Sequence, residues 1–154
     1  MFRYSIILLS LAAGLFIYLV WRDNSSPFYH WASIVGFSTE VDYLRSAFTV
    51  ITVPSWVVYS LPDGLWMFSF ILLMMTIWDF DLNRHSIFWI AVAIAIGFLI
   101  EITQVYFSVL GRFDWMDMFF LSLGATLPFL VFSKKIKYDL PLINHKLCIH
   151  EYEM

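Results

Sequence analysis

Six polar side chains stand near the ends of otherwise apolar segments and together provide the chemistry to bind or act on a polar group. They are Asp63, Glu101, Gln104, Arg112, Asp114 and Asp117. Carboxylates accept hydrogen bonds and exchange protons, whereas a guanidinium binds phosphate or carboxylate groups through paired N–H donors. Glu101 and Gln104 are three residues apart, a spacing that places both side chains on one face of a helix. These residue types therefore indicate recognition of a polar group, or proton transfer to one.

Glu101 is the residue of this set that local structure explains least. It follows the apolar run 87–100, and a lone carboxylate within a bilayer costs a few kcal/mol. We therefore expect Glu101 to be protonated, paired or exposed to a hydrated cavity. Arg112 is the nearest cation that follows it in the sequence. The sequence predicts a Glu101–Arg112 pair, either as a structural ion pair or as part of a functional site.

Ordinary helix starts are an alternative explanation for the three Asp residues. Asp63 follows Ser60 by three residues with Pro62 between them, and Asp114 and Asp117 have the same spacing in the sequence DWMD. Ser and Asp are favoured caps, Pro is favoured in the first helical turn, and an acidic group there suits the helix dipole. For Gln104, a hydrogen bond between helices is the corresponding structural explanation.

The composition of the chain is that of an integral membrane protein. Of its 154 residues, 61% are hydrophobic and only 14% are charged, which is less charge than a soluble domain of this size carries. The net charge of -3 gives no indication of nucleic-acid binding. The single cysteine, Cys148, excludes an intramolecular disulfide and has no metal-ligand spacing around it. We predict neither a cofactor nor a metal site.

Four apolar segments are long enough, or nearly so, to cross a hydrocarbon core of about 30 Å. They are residues 4–21, 61–78, 86–107 and 116–132. A further apolar run, 47–59, contains Pro54 and is too short to span, so it is predicted to be an interfacial or re-entrant segment in the first outer loop, residues 22–60. The predicted fold is all-α, an integral membrane bundle of four transmembrane helices over residues 1–132. A short polar cytoplasmic tail, 133–154, follows the bundle.

Positively charged residues predict the orientation of this bundle. With the N-terminus inside, six Lys and Arg residues fall on the inner side and three on the outer side, which favours cytoplasmic termini. The inner residues are Arg3, Arg84, Lys134, Lys135, Lys137 and Lys146, and the outer residues are Arg22, Arg45 and Arg112. In this orientation, the six candidate site residues all gather at the outer side of the membrane.

The order of these features resembles that of the VanZ-like family. That family has E-x-x-Q near the end of a helix, then an Arg in the next turn, and then an Asp with a Gly seven residues later. The corresponding residues here are Glu101, Gln104, Arg112, Asp117 and Gly124. The pattern covers about a quarter of the chain. The family's D-K-x-x-H reads DGLWM at 63–67, so its Lys and His are missing, and Leu121 replaces a usual Asn. The resemblance implies a small multi-pass protein of the bacterial envelope, placed in the inner membrane.

Two functions follow as hypotheses. In the first, an outward-facing polar pocket binds a lipid headgroup, an envelope glycolipid, or a membrane partner that is either another protein or a second copy of the chain. In the second, the protein is a membrane-embedded enzyme that acts on a lipid-linked substrate, with Glu101 as general acid or base. No nucleophile–base pair and no familiar metal spacing supports the second hypothesis. A transporter is disfavoured because the polar residues stop at the outer half of the bundle.

Overall fold

The computed structural model describes residues 2–23, 27–48, 50–106 and 113–137. Within these ranges the chain folds into α-helices without a strand, so the prediction of an all-α fold is confirmed. The helices are α1 (Phe2–Trp21), α2 (Pro27–Val35), α3 (Ser38–Phe48), α4 (Ser55–Tyr59), α5 (Leu61–Ile77), α6 (Arg84–Tyr106) and α7 (Trp115–Val131). A 3-10 turn, Ser133–Lys135, follows α7. The predicted site residue Arg112 and most of the predicted tail lie outside the described residues.

Three helical stretches are long and apolar enough to cross a membrane. They are Phe2–Trp21 with 20 residues, and Ser55–Ile77 and Arg84–Tyr106 with 23 residues each. Helix α7 is also apolar but has 17 residues, which corresponds to about 26 Å at the helical rise of ~1.5 Å per residue. The structure thus indicates an integral membrane protein with three helices of spanning length and a shorter fourth one.

The outer loop predicted over residues 22–60 is largely helical. Helices α2 and α3 pack against each other and against α1, and Gly36 adopts a φ of 86° in the turn between them. The predicted interfacial or re-entrant run, 47–59, is divided, because its first two residues end α3 and its last five form α4. Only Ser60 separates α4 from α5, so the two helices form one apolar stretch. Pro54 precedes α4, where its missing N–H breaks no helical hydrogen bond.

Helix α5 is the centre of the bundle and packs against α1, α6 and α7. Its residues Ile71, Leu72 and Met75 have no exposed surface. Near its first turn, Gly64 meets Gly124 of α7 so closely that a methyl group on Gly124 would overlap the Gly64 carbonyl. Glycine permits this approach because small residues let helix backbones meet inside a membrane. The contact joins the first turn of α5 to the middle of α7.

At the opposite end of the bundle, the turn between α5 and α6 holds three parts of the chain together. The Arg3 guanidinium lies 3.0 Å from a carboxylate oxygen of Asp79, and the Lys137 ammonium lies 3.5 Å from the other oxygen. The Lys137 N–H donates a 2.8 Å hydrogen bond to the Phe80 carbonyl. Phe80, buried against Phe132, is held at a positive φ of 62°. These contacts join the start of α1, the turn and the segment after α7.

Candidate functional site

Four carboxylates gather at the end of the bundle where α5 and α7 begin and α6 ends. We call this the polar end, and we call Asp63, Glu101, Asp114 and Asp117 the carboxylate cluster. Glu101 of α6 is close enough to interact electrostatically with each of the other three, and Asp63 interacts with Asp117. Gln104 donates a long hydrogen bond of 3.5 Å to Glu101 Oε1. The structure therefore brings five of the six predicted site residues together, and Arg112 lies outside the described residues.

Local helix chemistry explains part of this arrangement. Asp114 is the N-cap of α7, and its carboxylate accepts a 3.0 Å hydrogen bond from the Met116 N–H. The predicted capping role is thus confirmed for Asp114. Ser60 occupies the N-cap position of α5 without a capping hydrogen bond from its side chain. Its φ of -101° and ψ of -37° are helical, because α4 runs into α5 and leaves no open helix end to cap.

Buried oxygen atoms without hydrogen-bond partners distinguish the polar end from an ordinary set of caps. Glu101 is 5% exposed and Asp117 is 8% exposed. Within the described residues, Glu101 Oε2, Asp117 Oδ1 and Ser60 Oγ are buried and accept or donate no hydrogen bond. The Ser60 hydroxyl lies beside the Asp117 carboxylate, but the two groups do not meet with hydrogen-bond geometry. Folded proteins pair nearly all such atoms, so three together need an explanation.

Arg22 is the cation that faces the carboxylate cluster in the described part of the chain. It follows the end of α1 and interacts electrostatically with Asp63, Glu101 and Asp117. No salt bridge joins it to these groups among the described residues. The distribution of Lys and Arg predicts that Arg22 lies on the outer side, but its position in the sequence does not place it in the site. A signal that would have found it is Tyr18, which is one helical turn earlier on the same face of α1.

Aromatic rings and a second arginine hold Arg22 in place. Its guanidinium donates a hydrogen bond to the Tyr18 hydroxyl and lies 4.2 Å from the centroid of the Tyr18 ring. The Tyr59 ring lies on another side, at 5.2 Å. Arg45 donates hydrogen bonds to the carbonyl oxygens of Leu19, at 2.7 Å, and Arg22, at 2.8 Å. Arg45 thereby satisfies carbonyl groups at the end of α1 that have no partner within the helix.

The chemistry of the polar end is that of a hydrogen-bond acceptor. Among the described residues, no group of three or more His, Cys, Asp or Glu side chains is arranged to hold a metal ion. The carboxylate oxygens accept but do not donate hydrogen bonds when ionised. The arrangement therefore suits a bound group that supplies hydrogen-bond donors, such as hydroxyls or an ammonium.

Comparisons with protein families, with characterised proteins and with solved structures find no match to this chain. The resemblance to the VanZ-like family thus rests on the residues quoted for it above. Of those residues, Glu101, Gln104, Asp117 and Gly124 fall within the described part of the chain.

Proposed function

We propose that the protein is a VanZ-like integral membrane protein of the bacterial inner membrane whose polar end binds a headgroup. The bound group belongs to a membrane lipid, an envelope glycolipid or a membrane partner. In this proposal all four apolar helices span the bilayer, both termini are cytoplasmic and the polar end faces outward. The observation that carries the proposal is the buried carboxylate of Glu101, whose Oε2 has no hydrogen-bond partner among the described residues.

The energetics of burial support a binding role over a purely structural one. A carboxylate that contributes only to stability needs hydrogen bonds or a close cation, because burial without them costs several kcal/mol. Glu101 has a single long hydrogen bond from Gln104, and no salt bridge reaches it within the described residues. Proteins retain such unfavourable groups inside membranes mainly where they serve a function.

The depth of Glu101 favours a headgroup as the bound group. Glu101 lies 17 residues after Arg84, the first residue of α6, or about 26 Å along the helix axis. A hydrocarbon core is about 30 Å thick, and a headgroup layer of about 5–8 Å follows it on each side. Glu101 therefore lies near the boundary between headgroups and acyl chains, where a lipid headgroup can reach it from the side.

The ends of α7 support its assignment as the fourth transmembrane helix despite its length. Trp115 begins the helix and is 76% exposed, as expected for an indole at the level of the headgroups. Lys134 and Lys135 follow its other end, where cytoplasmic lysines commonly flank a span. A span of 17 residues is at the lower limit of the usual range and requires slight thinning of the bilayer.

An enzyme is the second candidate, and the same buried carboxylate favours it. A carboxyl group in an apolar site can act as a general acid or base on a lipid-linked substrate. The two functions differ in the effect of Glu101→Gln. A binding protein loses its ligand, whereas an enzyme keeps its ligand and loses product formation.

Native mass spectrometry of the protein extracted with its own lipids tests the proposal. The wild type is compared with Glu101→Gln and with Asp79→Asn as a control, because Asp79 lies at the opposite end of the bundle. The proposal predicts a bound lipid, glycolipid or partner that is retained by the wild type and the control and lost from Glu101→Gln. The same bound species in all three proteins, or none in any of them, would contradict it.

A further inference from the structure

From the arrangement of acceptors and charges at the polar end, we infer that the bound group is a primary ammonium of a zwitterionic lipid headgroup of the aminoethyl phosphate type. This inference rests on the proposed headgroup-binding function and names the class of ligand. The ammonium is placed in the carboxylate cluster, and the phosphate is placed at Arg22.

The number of buried acceptor atoms without partners equals the number of N–H donors on a primary ammonium. Glu101 Oε2, Asp117 Oδ1 and Ser60 Oγ are buried without a partner in the described part of the chain. They belong to helices α6 and α7 and to the junction of α4 and α5, which surround the polar end. A primary ammonium has three N–H donors and no acceptor. In the inferred arrangement the ammonium donates one hydrogen bond to each of these oxygen atoms, and the two bonds to carboxylates are strengthened by charge.

The charge of the polar end also selects a cation. Four carboxylates stand in the cluster, and Arg22 is the described guanidinium that interacts with them. An ammonium would favour the ionised form of these carboxyl groups, whereas a neutral sugar would supply no counter-charge and a wholly anionic headgroup would add repulsion. A divalent metal ion is disfavoured because the described residues include no group of three or more His, Cys, Asp or Glu side chains that could hold one.

Arg22 provides the complement for the second charge of a zwitterion. Its guanidinium is half-buried between the Tyr18 and Tyr59 rings, with one hydrogen bond to the Tyr18 hydroxyl. Within the described ranges this is the one hydrogen bond that the guanidinium donates, so other N–H donors of its five remain available to an anion there. In an aminoethyl phosphate headgroup, a two-carbon chain joins the ammonium nitrogen to an ester oxygen of the phosphate. The polar end thus offers acceptors for the cation and a planar donor group for the anion.

A series of lipids with identical acyl chains and different headgroups tests the inference on the wild-type protein. Delipidated protein in detergent is titrated with phosphatidylethanolamine, with its mono-, di- and trimethylated forms, and with phosphatidylglycerol, and bound lipid is counted by native mass spectrometry. We expect phosphatidylethanolamine to bind about tenfold more tightly than phosphatidylcholine, with a stepwise decrease as each N–H donor is replaced by methyl. Glu101→Gln and Asp117→Asn should reduce this preference to about twofold or less, whereas Asp79→Asn should keep it.

The outcomes separate the inference from the function on which it rests. Equal binding of phosphatidylethanolamine and phosphatidylcholine, or stronger binding of phosphatidylglycerol, would overturn the inference and leave headgroup binding in place. Failure of every lipid to bind would overturn both. A parallel titration with water-soluble ethanolamine phosphate shows whether the bound ammonium belongs to a lipid or to a soluble compound. If this compound binds as tightly as the lipid, the assignment to a membrane lipid is wrong. If the variants do not fold, the titration of the wild type with the methylated lipids still tests the inference.

Discussion

Two kinds of acidic residue stand at the polar end, and their surroundings separate them. Asp114 is exposed, and its carboxylate accepts a hydrogen bond from the Met116 N–H, so helix capping accounts for its position. Glu101 is buried with an oxygen atom that has no partner among the described residues. The sequence shows the residue types and their spacing but not this difference, because the environment of each carboxylate depends on which helices pack around it.

Replacement of Glu101 by Gln should stabilise the protein in the absence of ligand. The amide has the same shape and removes the cost of burying a carboxylate, so we expect the delipidated variant to be more stable by about 1 kcal/mol. Thermal unfolding in detergent measures this difference. A lower Tm for Glu101→Gln than for the wild type would indicate that the carboxylate has a stabilising partner, such as the predicted pair with Arg112.

Replacement of Asp114 by Ala should destabilise the protein because α7 loses its N-cap. We expect a loss of about 1 kcal/mol, and we expect Asp114→Ser to recover most of it because Ser is also a favoured cap. Thermal unfolding of the three proteins measures the effect. Equal losses for the Ala and Ser variants would show that Asp114 contributes through its charge instead of through its cap.

At the scale of the elements, the sequence predicts the apolar helices well and their contacts poorly. The four predicted segments agree with the observed helix bounds to within two residues at each end. The reason is that the mean hydropathy of a segment depends only on the residues within it and not on its contacts. The continuation of α4 into α5 was not predicted, since Pro54 suggested an interruption where it instead precedes the start of α4. Nor did the sequence reveal that Gly64 and Gly124 meet, because this contact joins two helices far apart in the chain.

The contact between Gly64 and Gly124 should make Gly124→Ala strongly destabilising. The added methyl group would overlap the Gly64 carbonyl, which belongs to a helix backbone and cannot move alone. We expect a loss of about 2–4 kcal/mol. Gly97→Ala is the matched control, because its methyl group would meet the flexible end of the Met67 side chain at 2.5 Å and Leu121 Cδ2 at an ordinary contact distance of 3.5 Å. Comparable Tm values for the two variants would contradict the account of the α5–α7 contact.

At the scale of the whole molecule, the two ends of the bundle have different charge arrangements. At the polar end, carboxylates face one another and the described cation makes no salt bridge to them. At the opposite end, Asp79 is paired with Arg3 and Lys137. The Arg3 guanidinium, assisted by Lys137, holds the pKa of Asp79 below its usual value. Asp79 is therefore paired with cations at one end, whereas no salt bridge reaches the carboxylate cluster at the polar end among the described residues.

The pairing of Asp79 should make a small contribution to stability that depends on pH. Because pairing lowers the pKa in the folded state, the contribution is fully present above the pKa of the unfolded chain, about 3.9. It is lost as the pH falls through the lower folded value. Asp79→Asn should therefore have a slightly lower Tm than the wild type at neutral pH, and the difference should vanish in acid. The same difference at pH 7 and in strong acid would exclude this pairing as its cause.

The proposed function requires that the buried carboxylate of Glu101 takes part in binding a headgroup. The most direct test is the change in Tm when lipid extracted from the protein's own membrane is added to delipidated wild type and to delipidated Glu101→Gln. A ligand that binds the folded state raises the Tm, so we predict a clear increase for the wild type and little or none for the variant. Equal increases for both proteins would show that Glu101 is not needed for lipid binding and would contradict the claim.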